Sequence, residues 1–99
     1  MRPINVARLD KQRPVLILTR ELARPHLTTV TVAPITTTIR GLSTEVPVDG
    51  ANGLDVASVV SCDNVTTIPK AAIGQQIGML LDHQEQDLSA ALRAAFDLD

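Results

Sequence analysis

Aromatic residues are nearly absent from this chain, which has no Trp, no Tyr and one Phe, Phe96. Sheet proteins that hold single-stranded nucleic acid on OB or RRM surfaces gain much of their affinity from bases stacked on aromatic rings. That mode is excluded, so any nucleic-acid site must work through phosphate contacts, hydrogen bonds and arginine planes. Cysteine is as scarce: Cys62 stands alone, which leaves no internal disulfide framework and no cysteine-built zinc site and fits a reducing cytoplasm. Long apolar runs are missing too. "PVLIL" falls far short of the roughly 20 residues that a membrane helix needs, and "MRPINVARLD" lacks the apolar region of a signal peptide. There is no basic excess. The formal net charge of -2 argues against a nonspecific nucleic-acid coat while leaving room for a local basic patch.

What is present suits one small core. With 99 residues, 44% hydrophobic and 20% charged, residues 1–99 are read as a single globular domain. A domain this short buries a modest share of its surface, and dimerisation is a natural way to bury more. The apolar pattern is strand-like up to residue 81: "INVARLD" (4–10), "PVLILT" (14–19), "TTVTVAPI" (28–35), "STEVPVD" (43–49), "ASVVSCDN" (57–64) and "GQQIGMLL" (74–81). The aliphatic run at 14–19 reads as a strand buried on both faces, and the Thr/Val alternation at 28–35 as a half-buried one. Pro47 moves the fourth strand toward a sheet edge, and "GANG" (50–53) marks a turn. From Asp82 onward, Leu88, Ala91, Leu92, Ala95 and Phe96 repeat as the stripe of an amphipathic helix packed on the core, with acidic residues in its first turns. The fold class expected is mainly β, an α+β arrangement: a small curled antiparallel barrel with a C-terminal helix.

Familiar catalytic signatures are missing. The chain has no GxxxxGK[ST], no GxGxxG after a strand, no HExxH and no GxSxG. His26 and His83 lack ligand spacing, so no metal site and no cofactor are expected. Cys62, inside a strand segment, reads as a small packing residue. Polar groups do gather at strand ends: Arg13 before the aliphatic strand, Thr36, Thr37, Thr38 and Arg40 after the third, and Asp63 with Asn64 after the fifth. Taken singly, these have ordinary readings. Arg13 is a snorkelling cation, the threonines a β-forming turn and Asp63 a turn cap. Converged on one rim of a small barrel, an arginine fork, a hydroxyl and a carboxylate suit cleavage of RNA by its own 2'-hydroxyl, which needs charge stabilisation and proton transfer but no metal.

The order of these pieces resembles the MazF/PemK/Kid toxins of toxin-antitoxin modules. "RPVLILT" looks like the family's Arg-Pro followed by an aliphatic strand, "VAPITTT" like its apolar strand ending in Pro-Ile-Thr, and "TEVPVD" like its edge strand. "SVVSCDNVTTIPKAAIGQQIG" resembles the segment in which a strand ends in Asp-Asn, continues to Thr-Ile and leads to the last strand. The resemblance implies an SH3-like barrel, a homodimer, and a sequence-specific endoribonuclease that leaves a 2',3'-cyclic phosphate and a 5'-hydroxyl on single-stranded RNA. A cognate MazE-like antitoxin would silence it. Carried over by position, Arg13 matches the catalytic arginine, Thr36 the catalytic Ser or Thr, and Asp63 the acidic residue that some members use beside the site. Lys11, Thr37, Thr38 and Arg40 are then expected to bind RNA. Two departures stand out. The long first loop of many members is here only "LDKQ", leaving the general base open between Asp10 and Lys11 or another group, and Ser61 stands where some members have an arginine. The same fold also serves the related CcdB proteins, which poison DNA gyrase without cutting; that is the alternative, with a catalytically decayed barrel as a third.

Overall fold

The computed structural model describes residues 2–99. Seven strands form one curled sheet in which every pairing is antiparallel: β1 (Pro3–Arg8), β2 (Gln12–Ile17), β3 (Thr29–Thr36), β4 (Glu45–Val48), β5 (Ser58–Ser61), β6 (Thr66–Pro69) and β7 (Ile73–Met79). The order is β4-β5-β3-β2-β1-β7, with β6 also paired to β3. A single α-helix, α1 (Glu85–Ala95), follows. This is the curled β sheet with a C-terminal helix that the hydrophobic pattern predicts.

Both faces of β2 are buried, which explains its continuous "VLI". Leu16, with Ile4, Ala33, Ile35, Val46 and Val60, packs toward Leu88 and Ala91 of α1. Val15 and Ile17 point the other way and join Ala7, Val30, Val32 and Ile68 in a second cluster. Such a strand has no solvent face and hence no alternation. Pro47 sits in β4 at the sheet edge, where its missing N–H costs no ladder bond.

The "GANG" turn is a 3-10 turn at Gly50–Asn52 that docks onto β7. Asn52 is 1% exposed; its Nδ2 donates to the Met79 carbonyl (3.0 Å) and to Gln84 Oε1 (2.7 Å), and its Oδ1 accepts from the Asp49 N–H (3.1 Å). Backbones approach so closely here that a Cβ on Gly78 would lie 1.7 Å from the Asn52 carbonyl oxygen, and one on Gly53, whose φ is +87°, 2.1 Å from that of Ile77. Only glycine fits both positions.

Four details differ from the sequence expectations. β6 is an additional strand, four residues between two 3-10 turns. The fifth strand ends at Ser61 because Cys62–Asn64 winds into a 3-10 turn, its Cys62 N–H bonded to the Thr44 carbonyl (3.0 Å). The helix begins at Glu85, after a 3-10 turn at Asp82–Gln84. Phe96, expected on the packed stripe, is 56% exposed: α1 ends at Ala95, which still packs on the core, and Phe96 caps it.

Candidate active site

The β2–β3 ladder ends at Val15↔Pro34, two residues from Arg13 on one strand and from Thr36 on the other, where β3 passes to pairing with β5. Side chains alternate faces along a strand, so Arg13 lies on the side of Val15 and Ile17, and Thr36 on that of Pro34 and Val32. Both are half-buried. They line a cleft of about 620 Å³ together with Leu9, Asp10, Pro34, Thr38, Arg40, Leu42, Glu45, Ser61, Asp63 and Asn64. Of the residues expected from sequence, the cleft gathers Arg13, Thr36, Thr38, Arg40 and Asp63. Lys11 and Thr37 are exposed and do not line it. Lys11 rides on the tip of the β1–β2 hairpin, where the Leu9 N–H bonds the Lys11 carbonyl (3.0 Å) and breaks the strand alternation. Thr37 falls between Thr36 and Thr38, both of which line the cleft.

Arg13 is held in a two-point fork by Asp10, Nε to Oδ1 at 2.9 Å and Nη2 to Oδ2 at 3.1 Å. The fork lowers the Asp10 pKa to about 2 and raises that of Arg13. Asp10 is thus ionised at any working pH. Guanidinium carries five N–H donors, so the Nη1 edge of Arg13 remains available for a phosphate. The Thr36 Oγ1 accepts the Thr38 N–H at 3.1 Å, which turns the chain and leaves the hydroxyl hydrogen free to donate.

Asp63 stands in the 3-10 turn after β5, and its Oδ2 accepts the Thr44 hydroxyl at 2.6 Å. Next to it, Asn64 Nδ2 donates to Ser61 Oγ at 2.8 Å. Cys62 points inward and is 1% exposed. Burial, and then the Asp63 charge, push its thiol up to about 11, so it is protonated and serves as packing. His26 and His83 are exposed, and among the described residues no group of three or more His, Cys, Asp or Glu is placed to hold a metal ion.

Glu45 is the site residue that sequence reading missed. It opens β4 opposite Ser61, and its Oε1 accepts three successive backbone N–H groups, those of Arg40 (3.2 Å), Gly41 (2.9 Å) and Leu42 (3.1 Å). The one local signal for it was a glycine four residues ahead of an acidic strand start.

Comparison with known proteins fits this arrangement. The family model described as "PemK-like, MazF-like toxin of type II toxin-antitoxin system" matches residues 3–96. The chain is 69% identical over all 99 residues, 96% of the relative's length, to Endoribonuclease MazF3 of Mycobacterium tuberculosis. Its structure superposes on the Mycobacterium tuberculosis toxin MazF-mt6 with a TM-score of 0.97 and 68% identity, covering 98% of each chain. A mycobacterial endoribonuclease in complex with its cognate antitoxin shares the fold, with a TM-score of 0.88 at 24% identity over 98% of this chain and 93% of that one. A cleft lined by Arg13 and Thr36, built from motifs in the family's order, thus comes with full-length relatives of one kind, and the chain belongs to the PemK-like, MazF-like toxins of type II toxin-antitoxin systems.

Proposed function

We propose that this chain, one toxin domain over residues 1–99, is an endoribonuclease that cuts single-stranded RNA without a metal or other cofactor. The observation that carries the reading is that Arg13 and Thr36, from neighbouring strands β2 and β3, line one cleft. In the reaction the 2'-hydroxyl oxygen attacks the adjacent phosphorus, its proton leaves, and the P–O5' bond breaks. The products are a 2',3'-cyclic phosphate and a 5'-hydroxyl, the latter after uptake of a proton by the departing oxygen. Arg13 is a poor proton donor, because a guanidinium holds its proton tightly and the Asp10 carboxylate raises its pKa further. Its role is to neutralise charge on the phosphorane, and fixed orientation by Asp10 means no reorganisation is needed as that charge develops. Thr36 donates its hydroxyl to a phosphate oxygen. Of the three cleft carboxylates, Asp10 is committed to Arg13 through both oxygens and Glu45 to the backbone, whereas Asp63 binds the Thr44 hydroxyl through Oδ2 and keeps Oδ1 to accept the 2'-hydroxyl proton. Thr38 and Arg40 contact neighbouring nucleotides; Lys11 and Thr37 act from outside the cleft.

The proposal extends to a homodimer in the cytoplasm, held silent by a cognate MazE-like antitoxin. Exposed apolar side chains such as Leu22 and Ile39 support burial against a second copy, and among the described residues no helix is long and apolar enough to cross a membrane. Membership of the PemK-like, MazF-like family disfavours the gyrase-poisoning alternative.

The deciding assay is cleavage of a long single-stranded RNA in EDTA by wild type, Arg13→Ala and Thr36→Ala, with circular dichroism as the folding control. A few sharp cuts by wild type, absent in both variants, are expected. Growth arrest in cells with no cutting by the wild-type protein would replace the nuclease reading with a protein target.

A further inference from the structure

Two arginines line the cleft, and they are in different electrostatic states. Arg13 is compensated by the Asp10 fork. The Arg40 guanidinium has no hydrogen bond or ion pair among the described residues, so its charge is uncompensated at the cleft wall. What holds Arg40 there is its own backbone. Gly41, at φ +73°, bends the chain so that the N–H groups of residues 40, 41 and 42 point to one spot, a concave arrangement of donors suited to an anion. A Cβ on Gly41 would meet nothing within 4 Å, so the glycine is required by the turn and not by space.

Glu45 Oε1 fills that spot, with a further contact from the Arg40 N–H to Oε2 at 3.4 Å. The Glu45 N–H returns a bond to the Leu42 carbonyl at 3.1 Å and closes the loop. In a site that must attract phosphate a carboxylate is electrostatically unfavourable, unless it organises something more favourable than the repulsion it adds. Deepening the nuclease reading, on which it rests, we infer that Glu45 is a positioning residue: by gathering the N–H groups of Arg40, Gly41 and Leu42, it fixes Arg40 as the cation that grips an RNA phosphate beside the Arg13–Thr36 centre.

The sign of the effect separates this role from simple repulsion. If Glu45 only repelled RNA, removing its carboxylate would tighten binding. As a positioning residue, its removal loosens the loop and weakens binding despite the loss of a negative charge. The test uses Glu45→Ala, Glu45→Gln, Arg40→Ala and the Glu45→Ala/Arg40→Ala double variant. KM and kcat are read on a long single-stranded RNA. Kd is read on a fluorescein-labelled 2'-deoxy 20-mer spanning the cut site that wild type makes, which lacks the attacking hydroxyl.

Glu45→Ala is expected to raise KM and Kd by about tenfold, the loss of one charge-assisted contact, with kcat within about twofold. Arg40→Ala should match it, and the double variant should be no worse than Arg40→Ala alone. Glu45→Gln, whose amide oxygen still accepts N–H groups, should stay near wild type. Because Glu45→Gln and Arg40→Ala retain the backbone turn, they decide the matter even where Glu45→Ala misfolds. Tighter or unchanged binding by Glu45→Ala, or losses that multiply in the double variant, would overturn the inference. Wild type that neither cuts nor binds would instead remove the nuclease reading beneath it, and the inference would fall with it.

Discussion

Asn52 offers the sharpest stability prediction. It is 1% exposed and ties three parts of the chain together: the Asp49 N–H, the Met79 carbonyl at the end of β7, and Gln84 just before α1. Gln84 Nε2 also reaches Asn52 Oδ1, at 3.3 Å. In Asn52→Ala the Asp49 N–H and the Met79 carbonyl lose their side-chain partner, and Gln84 loses two bonds. A buried polar group left unsatisfied costs about 1–3 kcal/mol. Partial access of water to Asp49 and Met79 puts the two backbone groups at the low end, about 2–4 kcal/mol together. For a domain of this size each kcal/mol lowers the melting temperature by about 4–8 °C, so thermal unfolding followed by circular dichroism should show a fall of roughly 10–30 °C. Asn52→Asp has nearly the same shape but turns both Nδ2 donors into an acceptor aimed at two acceptors, and should be at least as damaging at neutral pH. RNA cleavage by either variant, assayed at a temperature where it is folded, should match wild type, because Asn52 does not line the cleft. A fall of less than about 4 °C in Asn52→Ala would mean that solvent replaces the side chain, and the claim that this knot docks the turn onto β7 would be wrong.

Two further predictions follow from the same kind of reading. The Asp10 carboxyl should titrate in carboxyl-carbon NMR near pH 2 in wild type and close to its ordinary 3.8 in Arg13→Ala. A depressed folded pKa means that the pair's contribution to folding is present above pH 3.8 and disappears as pH falls toward 2; a wild-type midpoint near 3.8 would show that the fork does not persist in solution. On the helix, Leu88→Ala should cost about 2–5 kcal/mol in chemical unfolding, whereas Phe96→Ala should stay within about 0.5, because Leu88 is 2% exposed and Phe96 56%. Equal costs would restore Phe96 to the packed face.

The strands that carried their own signal were legible. "PVLIL" declared burial on both faces because its side chains do go to two different cores, and Pro47 declared an edge. β6 did not declare itself. It is four residues long, two of its side chains are exposed threonines, and its last residue is proline; what makes it a strand is pairing with β3, a long-range register that leaves no local trace. Phe96 misled for a different reason: periodicity extrapolates a helix beyond the point where its backbone stops. Of the residues that line the cleft, Arg13, Thr36 and Asp63 could be singled out from sequence because the chemistry proposed for them belongs to their side chains. Glu45 could not, because its partners are backbone N–H groups, which every non-proline residue has. Lys11 and Thr37 do not line the cleft: Lys11 stands at a hairpin tip, and Thr37 at the bend that the Thr36 hydroxyl closes on the Thr38 N–H.

The charges of the cleft carry one more consequence. Arg13 and Arg40 face Asp10, Glu45 and Asp63, a formal balance of one excess negative charge in a site proposed to hold a polyanion. A broad attractive field is therefore not how a single cleft recruits RNA; recognition must rest on a few fixed donors at short range. Affinity for a single strand falls with salt by a slope of about 0.7 per phosphate neutralised. With Arg13 and Arg40 in the cleft and Lys11 beside it, the slope of log K against log salt should lie between about -0.7 and -2.1, so that binding weakens by roughly three- to eighteenfold from about 50 to 200 mM. Fluorescence anisotropy on the 2'-deoxy 20-mer measures this directly. A slope as steep as about -4 would require cations from beyond this cleft. The local account of binding would then give way to one in which a second copy supplies most of the phosphate contacts.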